Sequence, residues 1–135
     1  MWSVSPEVVT AMSHFGYVHA TWESAKSEAR NTLIARARLR GLIPYSELVE
    51  QIHAIDFTHF DTRFFHLLGE LSSEEATAGR GMLTAIVVHK DGDMEPGPGF
   101  YELAQELGLD ISDLLVCWVN ECKKVHAAWS TAGRA

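Results

Sequence analysis

Cysteine is nearly absent: Cys117 and Cys122 are the only two in the chain. Five positions apart on one expected helix, their side chains point roughly 140° from each other, so a disulfide between them is geometrically poor. No run of 18 apolar residues occurs, which argues against a membrane span. No basic segment leading into an apolar stretch opens the chain either, so a cytoplasmic setting with reduced thiols is expected. Basic residues are outnumbered, 11 Lys and Arg against 18 Asp and Glu, for a net charge of -7. Strong non-specific binding to nucleic acid is therefore disfavoured, because that affinity comes from neutralising phosphates. Repeats and low-complexity linkers are missing too. What remains is a chain of 135 residues, 47% hydrophobic, enough for one ordinary core. The reading is a single domain over residues 1–135, with a helical part over 1–55 and a helix–hairpin–helix part over 56–130.

Helical signals dominate. Ser5-Pro6-Glu7 reads as a helix start, giving a short helix over residues 6–15 that Gly16 ends. Thr21 caps a longer helix from Trp22 to Arg40, whose inward stripe is Trp22, Ala25, Ala29, Ile34 and Ala37, with Gly41 closing it. Pro44-Tyr45-Ser46 introduces a helix over Glu47 to Ile55. Asp61 caps another from Thr62 to Leu71, and Ser72 to Glu75 has capping-box spacing for a further single turn. The period then changes. Residues 82–88, MLTAIVV, are short, β-branched and apolar, which suits a buried strand. Asp91-Gly92 is a turn signal, and Met94-Glu95-Pro96 would be the return limb of a hairpin. Helical spacing resumes from Phe100 to Leu107, where Gly108 stops it. Ser112 caps a last helix from Asp113 to Trp129 with an apolar stripe of Leu115, Trp118, Val119, Cys122, Val125 and Trp129. The order predicts a mainly helical α+β domain, a helical bundle with one short β-hairpin. Trp22, Trp118 and Trp129, with Phe64, Phe65 and Phe100, are expected in the core.

Several groups bear on function. Gly97-Pro98-Gly99 ahead of a helix resembles an anion-binding step, but Pro98 removes an N–H and Asp91, Asp93 and Glu95 repel phosphate. Its glycines therefore read as the tight return of the hairpin. His53, His59 and His66, or Cys122 with His126, lack a second half at metal-site spacing. Arg63, His66 and Glu70 fall at i, i+3 and i+7 on one helix side, with Glu74, Glu75 and Arg80 close behind. Such a set either forms a solvated ion-pair lattice or does general acid–base or metal-assisted work. Arg30, Arg36, Arg38 and Arg40 form either the wet face of an amphipathic helix or a contact strip for an acidic partner or a nucleic-acid backbone.

The run LLGELSSEEATAGRGMLTAIVV from residue 67, followed by PGPGFYELAQELG from residue 96, resembles a recurrent group of small bacterial proteins in which a G-R-x-M-L strand precedes a PG-x-GF step and a helix. That resemblance implies a bacterial or phage origin and an intracellular setting, and it carries no activity. The order of a helix, a Tyr45-led helix, an Arg63-bearing helix, an apolar strand and a glycine-rich return is also similar to winged-helix domains, including the alkyltransferase-like family. No Pro-Cys-His-Arg lies near the strand, so only the winged-helix-like scaffold is implied, not alkyl transfer.

These readings converge on a non-enzymatic intracellular binding or regulatory module, without cofactor or metal, that contacts a protein partner or a nucleic-acid-associated system. Arg36, Arg38, Arg40, Arg63, His66, Glu70 and Arg80 are its expected contact residues, and self-association is left open. The alternative is a small metal-assisted hydrolase or nuclease using His66, Glu70, Glu74 or Glu75. A third option is an inhibitory subunit whose acidic surface mimics nucleic acid.

Overall fold

The computed structural model describes residue 16 and residues 18–58, 61–90 and 95–130. The helix expected over 6–15, His59 and the tip at 91–94 lie outside the described residues. The first helix among the described residues, α1 (His19–Arg38), buries Trp22, Ala25, Ala29, Leu33 and Ala37 completely. Its three alanines present almost no side chain, so neighbouring elements approach its backbone closely. Leu33, not Ile34, completes the stripe, and Ile34 is only half-buried. Past the helix end, Arg40 sits at φ +56, in the left-handed region that non-glycine residues rarely adopt.

A two-residue strand, β1 (Ile43–Pro44), leads into α2 (Tyr45–Glu50). The expected helix over Glu47 to Ile55 stops early. The carboxylate of Glu28 on α1 accepts from His53 N at 3.0 Å and Ala54 N at 2.8 Å, and this draws both donors out of a helical ladder. Ile52 and Ile55 remain buried in the irregular chain that follows.

Helix α3 (Thr62–Thr77) begins as expected, with Asp61 Oδ1 accepting from Arg63 N at 2.8 Å. It continues past Leu71 because Ser72 does not act as a cap. The Ser72 hydroxyl is buried, pairs with the Thr84 hydroxyl and accepts from Thr84 N at 3.0 Å.

The expected hairpin is corrected. Leu83–Ile86 is a 3-10 turn, and β2 (Val87–Val88) pairs in parallel with β1, in the register Ile43 to Val87 and Pro44 to Val88. The parallel pair takes the place of the expected winged-helix-like ribbon. Every residue from Met82 to Val88 is buried, so this stretch threads the interior, where parallel strands with continuous apolar runs belong. Pro96 and Pro98 also deny donors to a returning strand. Among the described residues, what survives of the return is one backbone bond, His89 N to Glu95 O at 3.0 Å.

Helices α4 (Pro98–Glu106) and α5 (Leu114–Trp129) complete the described elements. Asp113, not Ser112, caps α5, its Oδ1 accepting from Val116 N at 3.1 Å. The main core joins α1 and α2 to α3, the 3-10 turn and Val125 of α5. A smaller core beside it is built from Met82, Ala85, Phe100, Ala104 and Cys117. Two core expectations fail: Phe65 is 45% exposed, and Leu115 and Val119 of the α5 stripe face solvent. The inward face of α5 instead turns on Cys117, Glu121 and Val125. Among the described residues, no helix is long and apolar enough to cross a membrane, and the architecture is mainly helical α+β.

Candidate functional site

Two features stand out around α3: an ion lattice on the side facing α1, and a groove on the side facing α4. In the lattice, Lys26 is 7% exposed on the alanine face of α1. It reaches Glu70 at 3.1 Å, Glu74 at 2.8 Å and Glu23 at 3.0 Å. Burial alone would lower the pKa of its ammonium; the hydrogen bonds to Glu74, Glu23 and Glu70 outweigh it, and the net shift is upward. Glu70 also accepts from Trp22 Nε1 at 2.9 Å. Its burial favours the neutral acid, but the donors Trp22 and Lys26 prevail and hold the carboxyl below the usual range.

Glu75 is 1% exposed. Arg80 grips it through Nε at 2.7 Å and Nη2 at 2.8 Å, and Arg30 adds Nη1 at 2.5 Å. The Arg80 bonds, opposed by burial and reinforced by Arg30, lower the Glu75 pKa. The other guanidinium nitrogen of Arg30 contacts Glu74, and Arg80 lies over the Trp129 ring, 5.5 Å from its centroid. A buried charge left without these partners would cost several kcal/mol, and Lys26 and Arg30 of α1 meet Glu70, Glu74 and Glu75 of α3.

The groove has a volume of about 890 Å3, within the range of roughly 300–1,000 Å3 typical of ligand sites. Its apolar floor is Phe65 and Leu68 of α3 with Phe100 and Leu103 of α4. At one end Tyr45 Oη accepts from Gly97 N at 3.0 Å, and the Tyr45 ring contacts those of Phe65 and His89 at centroid distances of 5.9 and 5.2 Å. Burial raises the Tyr45 pKa, against the opposing bond from Gly97, so at neutral pH the phenol is a fixed neutral wall. A Cβ at position 97 would lie 3.4 Å from both Tyr45 Oη and His89 Nε2. A side chain at position 97 would thus sit against both groups, whereas at Gly99 nothing lies within 4 Å of an added Cβ. The rim carries Glu70, Glu74 and His66 from α3 and Glu102 and Glu106 from α4. His66 Nε2 lies 3.2 Å from Glu70 Oε2. Glu102 and Glu106 are exposed one turn apart, a like-charge spacing that mildly destabilises a helix.

The structure scatters most of the expected contact residues. Arg36 donates to Leu42 O at 2.6 Å and pairs with Glu47. Arg63 turns to Asp61, with Nε 3.0 Å from Oδ1, and lies over Phe57. Arg80 belongs to the Glu75 clamp. Arg38 and Arg40 are exposed. Only His66 and Glu70 of the expected set meet at the groove. Trp22, Lys26 and Arg30 were not expected in a charged lattice. The signal for it was a lysine on the alanine face of α1 and the acidic sequence Glu70, Glu74, Glu75, which carries more carboxylates than a solvated face needs.

No protein-family model matches the chain, and neither does a curated protein or a solved structure.

Proposed function

We propose that the chain is a non-enzymatic binding module whose groove between α3 and α4 receives an apolar, basic segment of a partner protein. The observation that carries this reading is the pairing of an apolar floor, including the 45% exposed Phe65, with the carboxylates of Glu102 and Glu106 above it. Apolar burial supplies affinity and the rim charges select a cationic partner and speed its approach. Both cysteines are free, in keeping with a reducing, cytoplasmic setting.

Metal-assisted hydrolysis by His66, Glu70, Glu74 and Glu75 has less support. Glu75 points into Arg30 and Arg80, away from the groove, and Glu70 is held by Trp22 and Lys26. Among the described residues, no group of three or more His, Cys, Asp or Glu is arranged to hold a metal ion. Contact with a nucleic-acid backbone retains Arg38 and Arg40 alone, since Arg36, Arg63 and Arg80 are engaged within the fold.

The test is fluorescence anisotropy with a labelled amphipathic Lys/Leu helical peptide and a Glu/Leu counterpart of equal length. The expected result is binding of the basic peptide alone, weakening with salt. The double substitution Glu102→Lys/Glu106→Lys, and separately Phe65→Ser, should each weaken it by about tenfold or more, about 1.4 kcal/mol. Equal binding of both peptides, or of neither, overturns the reading.

A further inference from the structure

Near its start, α5 carries apolar side chains that the other described residues leave uncovered. Leu114, Leu115, Val116 and Val119 are 48, 54, 52 and 37% exposed, all within the first two turns of one helix. Leu115 and Val119 stand at i and i+4, the spacing of an inward stripe, yet Cys117, Glu121 and Val125 turn inward in their place. Clustered exposed apolar residues of this kind mark interaction surfaces more often than singly scattered ones do.

We propose that this face pairs with the same face of a second copy of the chain, the two α5 helices running antiparallel. The argument for self-pairing is the charge order along the face. Asp113, Val116, Asn120 and Lys123 stand at i, i+3, i+7 and i+10 and are all exposed, so they form one stripe, with Leu115 and Val119 beside it. Asp113 and Lys123 lie five residues either side of Trp118. A two-fold axis at the level of Trp118 therefore sets Lys123 of each copy level with Asp113 of the other. Val116 and Val119 of each copy interleave at the centre. An isologous contact requires this kind of self-complementarity, in which one patch carries both halves of each pair. Lys124, the neighbouring cation, is already paired with Glu121 at 2.6 Å, which leaves Lys123 as the side chain placed to cross. The groove between α3 and α4 is on other elements, so both surfaces can be occupied together.

The test is sedimentation velocity of the full chain across a wide concentration range, with circular dichroism of each variant to verify the helices. A concentration-dependent dimer is expected, and Val116→Glu or Val119→Glu should raise its dissociation constant by about tenfold or more. The register is read by a double-mutant cycle. Asp113→Asn keeps a capping side chain and Lys123→Met keeps the aliphatic stem. Within one chain these positions are about 15 Å apart, so they add independently unless they meet across the interface. Each single change should weaken the dimer, and the second should add almost nothing to the first. A chain that stays monomeric throughout overturns the proposal. So does a dimer indifferent to the valine substitutions, and so does strict additivity in the cycle.

Discussion

The indole Nε1 of Trp22 donates to Oε1 of Glu70 at 2.9 Å, joining the fully buried aromatic of α1 to the carboxylate at the edge of the groove. One residue thus serves the core with its ring and the lattice with its nitrogen. Trp22→Phe keeps an aromatic ring in place but removes the donor. It should cost about 1–3 kcal/mol, read as a lower urea midpoint at unchanged slope. A variant as stable as the parent would show that Glu70 is satisfied without the indole donor.

The lattice also sets a pH profile. Glu70 and Glu75 titrate below their ordinary value of 4.5. Their stabilisation is therefore complete above that pH and is lost as pH falls through the folded values. Lys26 titrates above its ordinary 10.5, so its contribution is complete below that pH and is lost as pH rises through the folded value. Melting temperature should be flat between about pH 5 and pH 10 and should fall on both sides. Glu70→Gln/Glu75→Gln should flatten the acid limb. A decline that already begins at pH 6 would place the dominant titration elsewhere.

Two glycines make a controlled comparison. Gly79 and Gly81 have φ of +84 and +85, so alanine at either is strained by about 1–2 kcal/mol. At position 81 the added Cβ would also stand 2.8 Å from Lys124 Cβ and 3.5 Å from Val125 N on α5, while at position 79 nothing lies within 4 Å. Gly81→Ala should be the more destabilising in chemical denaturation. Equal losses would mean that α5 shifts freely at this contact.

Neither thiol should act as a nucleophile. Burial, aided by the charge of Glu121, pushes the Cys122 thiol up to about 12 and raises that of Cys117. Cys122 Sγ donates to Ala85 O at 3.4 Å. Since the thiolate is the reactive form, a colorimetric thiol reagent at pH 8 should label neither residue quickly in the native protein and both after unfolding. Rapid labelling of the native chain would contradict this.

Residues whose role is local were legible in the sequence. The Asp61 cap, the Gly108 stop at φ +87 and the buried Phe100 follow from short-range chemistry, and all are observed. Residues whose role is set by a distant partner were not. Ser72 has capping spacing, but its hydroxyl is claimed by Thr84. The helix through His53 has good periodicity, but Glu28 intercepts its amides. Val87 and Val88 read as a strand, and nothing near them indicates that the partner is Ile43–Pro44. Lys26 gave no signal of its own, because Glu70 and Glu74 are brought opposite it only by the fold. The groove was legible only at His66 and Glu70, because its floor exists only once α4 packs beside α3.

The short parallel pair has a consequence for assembly. Side-by-side contact of Ile43 and Val87 encircles roughly forty residues of intervening chain, and the entropy of closing that ring must be overcome before the pair is rewarded. Each half of the polypeptide holds a strand whose only hydrogen-bonding mate among the described residues is in the other half. A nick between α2 and α3 would therefore yield complementary fragments, each leaving buried amides unanswered until the two recombine.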